Sequence, residues 1–208
     1  MLPRLPHSKS RALAIWACGD SFTFGSGASW SWRLPLVGLV EDHRPSPLHE
    51  PIAVWLGTQV DSYAHDGHPG YSIPNLDLTA WSASLGATPT DIILQGGAND
   101  WALGATAATI LTRFATAVAL AHSLFPLARI YACKPMQATA AYEAGHVGYN
   151  AAMATVAAGF PIAGANTIDW SGVSTAGLQG DGLHPGNSTH EAMAVLAHAA
   201  MSAAGAFA

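Results

Sequence analysis

The sequence predicts a three-layer α/β/α sandwich with a central five-stranded parallel sheet. Five short, mainly apolar runs of strand type alternate along the chain with longer segments of helical pattern. Strands that alternate with helices form a parallel sheet that is covered by helices on both faces. The chain has 208 residues and shows no internal repeat or linker. We therefore expect a single domain over residues 1–208, with residues 1–10 as a loose N-terminal leader.

The predicted strands are marked by the residues that follow them. Glycine comes directly after three of the runs, at Gly19, Gly57 and Gly96, and Pro135 stops a fourth. Glycine and proline commonly end a strand at the point where the chain turns. The predicted strands are residues 12–18, 52–56, 92–95, 128–133 and 165–169.

The predicted helices fill the gaps between these strands, because apolar residues recur there at helical spacing. Arg113 and His122 lie within the longest of them, which we interpret as a buried helix rather than a membrane span. The predicted helices are residues 30–40, 74–85, 104–124, 142–160 and 187–203. Segments rich in turn-forming residues are the predicted loops, at 22–27, 41–50, 59–72 and 171–183.

The charge balance excludes one class of partner. Only 10% of the residues are charged, the net charge is −5 with neutral histidine, and the lysines and arginines are scattered. A nucleic-acid-binding surface needs clustered positive charge, so we expect no nucleic-acid partner. Arg4, Lys9 and Arg11 before the apolar residues 12–18 superficially resemble a signal peptide. Cleavage after this short run would remove the first strand, so we expect no signal peptide, no transmembrane segment and, by default, a cytoplasmic protein.

Neither the cysteines nor the histidines predict a cross-link or a metal site. Cys18 and Cys133 each lie in a strand-like run, where we expect buried thiols. His65, Asp66 and His68 share one glycine-containing loop, but zinc would need a further ligand that the sequence does not place. We therefore expect no metal and assign this loop to structure or substrate contact.

The segment Gly19-Asp20-Ser21 directly follows the first predicted strand. Ligand sites of open α/β sheets lie at the carboxyl ends of their strands. Ser21 is therefore a candidate nucleophile, beside backbone N–H groups that can stabilise an oxyanion. The alternative is an ordinary turn in which Ser21 caps a helix.

Asp181 and His184 are three residues apart in the segment Asp181-Gly182-Leu183-His184-Pro185. A histidine can take the proton of a serine hydroxyl and return a proton to a leaving alcohol. Asp181 can hold the Nδ1–H of His184 and select its tautomer, or it can form an Asx turn. Pro185 favours an extended backbone at His184 and can begin the following helix. We predict Ser21, His184 and Asp181 as the catalytic residues.

Three hydrogen-bond donors are predicted for the oxyanion hole: the backbone N–H groups of Ser21 and Gly70 and the side-chain amide of Asn99. Gly67 lies in the same loop as Gly70 and competes with it for this role. Asn99 has an alternative role as a turn residue that caps the helix at 104–124.

Two aromatic residues beside these motifs are candidates for substrate binding. Trp101 follows Asn99-Asp100 and either lines a substrate pocket, for the acyl group or the alcohol, or belongs to the core. Tyr71 follows Gly70 and is a candidate for stacking on a ring of the substrate, a sugar ring if the substrate is the one implied by the family resemblance described next. We expect Asp20 and Asp100 to hold loops by accepting backbone hydrogen bonds.

These motifs resemble those of the SGNH (GDSL-type) hydrolases. The segments 19–25, 97–100 and 181–185 resemble the family's first, third and fifth sequence blocks, in the family's order, and Gly70 matches the loop glycine of the second block. The loop from His65 to Tyr71, with Leu56-Gly57-Thr58 before it, looks most like the acetyl xylan esterase branch, carbohydrate esterase family 3. The chain departs from the family after the His184-Pro185 pair. Family members often have a glycine where this chain has Thr189-His190.

The resemblance implies a flavodoxin-like fold and serine ester hydrolysis without a cofactor. The implied substrate is a small acyl ester, with acetyl groups on carbohydrate as the first hypothesis and a lipid ester or thioester as the alternative. A non-catalytic binding domain on this fold would show a broken triad, whereas the three residues are all present here. The sequence has no Gly-x-Ser-x-Gly elbow, and Gly25-Ser26-Gly27 lacks the lysine of a phosphate-binding loop.

Overall fold

The computed structural model describes residues 13–41, 53–61 and 63–207. The predicted leader at 1–10, and all but the first residue of the predicted loop at 41–50, lie outside the described residues. The strands are β1 (Leu13–Gly19), β2 (Ala53–Leu56), β3 (Gln59–Val60), β4 (Ala64–Gly67), β5 (Asp91–Leu94), β6 (Arg129–Lys134) and β7 (Asn166–Asp169). The α-helices are α1 (Ser21–Phe24), α2 (Arg33–Glu41), α3 (Leu78–Ser82), α4 (Ala98–Ala102), α5 (Ala107–Leu124), α6 (Ala140–Gly145), α7 (Tyr149–Ala158) and α8 (Asn187–Ala203). Short 3₁₀ turns occupy Ile73–Asn75 and Thr175–Gly177.

Strand β1 lies in the middle of the sheet. On one side β5 pairs with β1, β6 with β5 and β7 with β6, all in parallel. On the other side β2 pairs with the first half of β1 and β4 with its last two residues, also in parallel. Only the β3–β4 pair, at the outer edge of the described sheet, is antiparallel. The mainly parallel sheet is as predicted, and its carboxyl ends meet at one edge.

The predicted count of five strands is too low, because it omits β3 and β4, which lie inside the predicted loop at 59–72. The segment Ala64-His65-Asp66-Gly67 has neither an apolar run nor an alternating pattern. Its buried carboxylate decides the structure: Asp66 accepts hydrogen bonds from Trp16 Nε1 at 2.6 Å and from the backbone N–H of Thr58 at 3.0 Å. A contact between distant residues therefore forms a strand that local periodicity does not indicate.

Several predicted helix boundaries also move for local reasons. The segment predicted at 142–160 is divided into α6 and α7 at Gly148, whose φ of 92° interrupts the helix. Helix α5 begins only after Thr106, whose side chain accepts the backbone N–H of Thr109 as an N-cap. The segment predicted at 74–85 becomes a 3₁₀ turn followed by α3.

The core consists of two hydrophobic clusters, one on each face of the sheet. Alternate residues of β1 point to opposite clusters: Ile15 and Ala17 to one, Trp16 and Cys18 to the other. Helices α2 and α8 cover the first cluster, and α5 and α7 cover the second. The three-layer arrangement is as predicted, and Cys18 and Cys133 are buried free thiols, in opposite clusters.

Helix α5 is the one helix in the described part of the chain that is long and apolar enough to span a membrane. Its buried residues include Ile110, Phe114 and Val118, which belong to the second cluster. Arg113 on the same helix pairs with the buried carboxylate of Asp100 at 2.8 Å. This helix is therefore a partly buried core helix, as predicted.

His190 of α8 is fully buried behind the carboxyl edge of the sheet. Its Nδ1 accepts the backbone N–H of Trp32 at 3.1 Å. Burial is the main reason that the pKa of His190 is lowered from 6.5 to about 4, and the nearby Arg33 and His184 lower it further. The neutral ring is the form that the folded state accommodates.

The buried His190 predicts a loss of stability in acid. Between pH 6.5 and about 4 the unfolded chain binds a proton at this position and the folded chain does not, so stability is intact above pH 6.5 and decreases as the pH falls. The expected loss is about 3 kcal/mol by pH 4. Burial also lowers the pKa of His65 from 6.5 to about 4, so that residue adds an acid loss of its own. Between pH 7 and pH 4, urea unfolding should therefore show a loss that is about 3 kcal/mol smaller in His190→Asn, which can still accept a hydrogen bond from Trp32, than in the original chain. An equal loss in both proteins would contradict the assignment to His190.

Candidate active site

Ser21 is the first residue of α1, directly after β1. The helix is capped by Asp20, whose Oδ1 accepts the backbone N–H of Phe22 at 2.9 Å. The alternative role of Ser21 as a cap is therefore wrong, because Asp20 holds that position. Gly19 is required at this junction, since a Cβ there would lie 2.3 Å from Thr23 Oγ1 and 2.6 Å from Gln95 Oε1. The result is a tight strand-to-helix turn that presents the Ser21 hydroxyl at the edge of the sheet.

The structure brings together the three predicted catalytic residues. Ser21 Oγ lies 2.9 Å from His184 Nε2, and His184 Nδ1 lies 2.5 Å from Asp181 Oδ2. The other oxygen of Asp181 accepts the backbone N–H groups of Leu183 and His184, both at 3.0 Å. Asp181 thus forms an Asx turn and holds the imidazole at the same time. The contacts of both interpretations made from the sequence are therefore present, and the catalytic role of Asp181 stays a prediction.

The pKa values of the two aspartates at this site differ because their surroundings differ. Partial burial alone would raise the pKa of Asp181, but hydrogen bonds from the His184 ring and from the N–H groups of Leu183 and His184 lower it below its usual value. Burial raises the pKa of Asp20 to about 6, although hydrogen bonds from Phe22 and Gln95 oppose that rise. Asp181 is therefore the carboxylate that is kept ionised beside the imidazole.

Gln179 connects the loop of His184 to the loop after α1, and sequence reasoning missed it. Its Nε2 donates to the carbonyl oxygens of Ser26 at 2.6 Å and of Pro185 at 2.8 Å. Its backbone N–H donates to the carbonyl of His184 at 2.8 Å. These bonds fix His184 relative to the Ser21 segment, 163 residues away along the chain. A polar residue in a Gly/Ser-rich loop carried no signal for this role.

Asn99 lies inside α4, with Gly97 as the N-cap. Its Nδ2 donates to the backbone carbonyl of Tyr71 at 3.1 Å and lies 3.4 Å from Asp20 Oδ2. The alternative role as a cap of the long helix is wrong, because Thr106 caps α5. The side chain of Asn99 instead lies beside the residue that precedes Ser21.

The two glycines that compete for the oxyanion role have different surroundings. The backbone N–H of Gly67 donates to His65 Nδ1 at 2.9 Å, and a Cβ at Gly67 would lie 2.4 Å from the backbone nitrogen of Phe24. Gly67 is therefore needed for close packing of β4 on α1. Gly70 lies on the exposed loop beyond β4, with φ of 84° and open space where a Cβ would be. This arrangement favours Gly70 as the donor.

The remaining candidates have identifiable structural contacts. Asp100 accepts the backbone N–H of Ile73 at 2.9 Å and so holds the loop that follows Gly70, as predicted. Trp101 is partly exposed and packs edge-on against Tyr149, with ring centroids 5.3 Å apart. Tyr71 is 38% exposed and stacks on the ring of His68. Trp101 thus belongs partly to the core, whereas Tyr71 is accessible.

Arg33 is a second residue that sequence reasoning missed. Its guanidinium is buried, and it donates to the carbonyl of Thr23 at 3.1 Å, to that of Tyr63 at 2.6 Å and to Asp61 Oδ2 at 2.6 Å. Burial lowers its pKa, while the hydrogen bonds and charge of Asp61 oppose that shift. Arg33 therefore connects α1, which carries Ser21, to the segment that leads through β4 toward Gly70. The available signal was a charged residue at the start of a mainly apolar helix.

The comparisons with known proteins agree with this geometry. Residues 17–192 match the GDSL-like lipase/acylhydrolase family. The chain belongs to this family. A GDSL-like hydrolase is an esterase-type enzyme, so an ester substrate follows from the membership. No curated protein sequence matches the chain significantly.

Solved structures with the fold of this GDSL-like hydrolase include three esterases. An acetyl esterase mutant with an acetate ion has a TM-score of 0.72 at 15% identity, over 92% of this chain and 97% of that one. A family 3 carbohydrate esterase from Talaromyces cellulolyticus has a TM-score of 0.72 at 16% identity, with the same shares of 92% and 97%. A family 3 carbohydrate esterase from Clostridium thermocellum has a TM-score of 0.71 at 19% identity, over 93% of this chain and 97% of that one. At these identities the likeness establishes the SGNH hydrolase fold.

Proposed function

We propose that this GDSL-like hydrolase removes small acyl groups, above all acetyl, from esters of carbohydrate. The observation that carries the proposal is the continuous hydrogen-bonded series from Ser21 Oγ through the His184 ring to Asp181, with contacts of 2.9 and 2.5 Å. A serine, an imidazole and a carboxylate in this order form the arrangement that acyl transfer requires.

Each residue of the series has one role in the reaction. Ser21 Oγ attacks the ester carbonyl while His184 Nε2 takes the hydroxyl proton. The tetrahedral intermediate collapses, the C–O bond to the alcohol breaks, and His184 returns the proton to the leaving oxygen. Water then attacks the acyl-enzyme in the same manner, and the carboxylic acid leaves as Ser21 regains its proton. Asp181 holds Nδ1–H, which selects the tautomer and stabilises the imidazolium.

The negative charge on the carbonyl oxygen is stabilised by three donors: the N–H groups of Ser21 and Gly70 and the amide of Asn99. In the free protein the Asn99 amide donates to Tyr71 at 3.1 Å and makes a longer contact of 3.4 Å with Asp20. The oxyanion replaces the longer contact. The bond to Tyr71 is kept and orients the amide.

A small cavity beside the nucleophile supports a short acyl group. Phe22, whose ring lies edge-on to His184 with centroids 5.8 Å apart, and Ala98, next to Asn99, line one side of it. Met136 and Trp170, both 1% exposed, line the other side. The cavity is small, with room for about one water molecule. A long acyl chain does not fit this space, so a short group such as acetyl is favoured.

The alcohol part is proposed from two supporting observations. The similar solved structures described above are named as an acetyl esterase and as carbohydrate esterases. Tyr71 follows Gly70 in the sequence, and its side-chain ring is exposed. The backbone carbonyl of Tyr71 accepts a hydrogen bond from the Asn99 amide. An aromatic face beside the oxyanion donors suits the C–H groups of a sugar ring.

A panel of p-nitrophenyl acetate, butyrate and octanoate, beside acetylated xylan, tests the proposal. We expect acetate to be the best ester, with kcat/KM lower by about tenfold or more for butyrate, because each extra methylene that a pocket cannot hold has an effect of this size. Release of acetate from acetylated xylan should be measurable. Met136→Val, which shortens one wall of the cavity, should raise the butyrate rate relative to acetate.

Two outcomes would contradict the proposed substrate. Preference for octanoate, or for a long-chain thioester, would make the chain a lipid or thioester acylhydrolase of the same mechanism. Loss of every esterase activity in a well-folded protein would favour a binding domain.

A further inference from the structure

An open groove lies along the segment between Gly70 and α3. We call it the 71–81 groove. It has a volume of about 690 Å³, and its walls include Tyr71, Asn75, Asp77 and Trp81. Leu120 of α5 also lines it. A groove of this size is large enough to hold a ring-sized ligand.

The groove begins directly beside the proposed oxyanion donors. Tyr71 is one of its walls, and the carbonyl of the same residue accepts the Asn99 amide at 3.1 Å. Asp100, the neighbour of Asn99, holds the next part of the groove through the backbone N–H of Ile73 at 2.9 Å. The Tyr71 end of the groove therefore lies close to the proposed oxyanion donors.

Two aromatic rings of the groove are held nearly parallel. The rings of Tyr71 and Trp81 are 6.5 Å apart and within 22° of parallel. Both stack on His68, with centroid distances of 4.8 and 4.5 Å. The His68 ring is held in turn by Gln59 Nε2, 2.8 Å from its Nδ1. The rings are thus supported from behind and lose little freedom when a ligand binds.

The polar groups of the groove are an amide and a carboxylate, and none of its lining residues is basic. Asn75 and Asp77 are both exposed, and Asp77 Oδ1 is held by the backbone N–H of Ala80 at 3.0 Å. Side chains of this kind accept and donate hydrogen bonds to hydroxyl groups. The lack of positive charge does not suit a phosphate or another anion.

We infer that the 71–81 groove binds a second saccharide ring, the neighbour of the ring whose acetyl group is removed at Ser21. The C–H face of a pyranose packs on the rings of Tyr71 and Trp81, and its hydroxyls bond to Asn75 and Asp77. This inference rests on the proposed function, because it assumes a carbohydrate ester. It adds that the preferred substrate is an oligosaccharide or polysaccharide, and that the groove supplies the preference.

The test compares kcat/KM for a chain and for a single ring. Purified protein is assayed with p-nitrophenyl acetate, with acetylated methyl xyloside, and with acetylated xylohexaose and cellohexaose. The readout is the ratio of the better hexasaccharide to the monosaccharide. Because both are acetylated sugars, any general loss of activity in a variant cancels in this ratio.

We expect a ratio above one for the original chain. Tyr71→Ala and Asn75→Ala should each lower the ratio by about threefold to tenfold, the size of one lost aromatic or hydrogen-bonding contact. Tyr71→Phe keeps the ring and should keep the ratio. Leu127→Ala, at an 86% exposed position outside the groove, is the control and should change neither the ratio nor the rate on p-nitrophenyl acetate.

The possible outcomes distinguish failure of the groove inference from failure of the proposed function. A ratio of one or less in the original chain, or an equal loss on all substrates in Tyr71→Ala, would overturn the groove while the esterase assignment stands. Hydrolysis of p-nitrophenyl acetate but of no acetylated sugar would overturn the carbohydrate proposal, and the groove inference with it. The monosaccharide assay distinguishes the two failures.

Discussion

Ser21→Ala should lower the kcat for p-nitrophenyl acetate by at least about 10⁴-fold, because it removes the hydroxyl that forms the acyl-enzyme. The hydroxyl is held 2.9 Å from His184 Nε2. It does not cap α1, since Asp20 does so. The substitution should therefore leave the fold intact, with an unchanged melting temperature. Steady-state kinetics and thermal unfolding of the same samples measure both effects.

Two further variants and a labelling experiment test the same prediction. Ser123→Ala, which removes an exposed hydroxyl on α5, should keep full activity. The double variant Ser21→Ala/His184→Ala should lose no more than Ser21→Ala alone, because residues that act as a unit have non-additive effects. A fluorophosphonate should label the peptide that contains Ser21 and no other. Activity that survives in Ser21→Ala would remove this residue from the mechanism.

Asn99→Ala should lower kcat by about 10²–10³-fold with little change in KM, because one oxyanion donor acts on the transition state rather than on the bound ester. Asn99→Asp should lose at least as much, since a carboxylate has no N–H to donate and adds negative charge beside Asp20. The matched control is Asn166→Ala, which removes an amide that donates to Ile130 at 3.3 Å in the sheet. It should keep kcat.

A purely structural role for Asn99 makes a different prediction. Its amide also holds the carbonyl of Tyr71, so loss of that bond alone would move the loop and lower the melting temperature. Because Asn99→Ala removes this bond as well, we expect a modest fall in melting temperature together with a far larger fall in kcat per folded molecule. An unchanged kcat, or a rate loss that follows the loss of folded protein, would contradict the oxyanion role.

The parts of the site that could be predicted from sequence are those encoded by neighbours along the chain. The spacing of Asp181 and His184 alone allows the carboxylate to reach Nδ1, and the 2.5 Å contact has this form. Gly19-Asp20-Ser21 is likewise a local junction, in which a strand ends and a helix begins. The longer strands could be predicted because each is a continuous apolar run. A strand of a parallel sheet that is buried on both faces requires such a run.

The features that could not be predicted depend on contacts between residues that are far apart along the chain. Strand β4 depends on a buried carboxylate that reaches Trp16, 50 residues away. The choice between Gly67 and Gly70 depends on His65 and on the approach of α1, which no local pattern records. Arg33 and Gln179 act through backbone carbonyls, and a carbonyl has no sequence signature.

The amino-acid sequence by itself therefore determined the class of fold, the order of the longer strands and helices, and the chemical groups that can carry out acyl transfer. Only the tertiary structure decided which donor groups are already engaged, how small the cavity lined by Phe22 and Ala98 is, and that an aromatic groove begins at Tyr71. The physical reason is that chemical character and local periodicity belong to short stretches of chain. Distances, burial and unoccupied space arise only when residues such as Ser21 and His184, 163 positions apart, pack against each other.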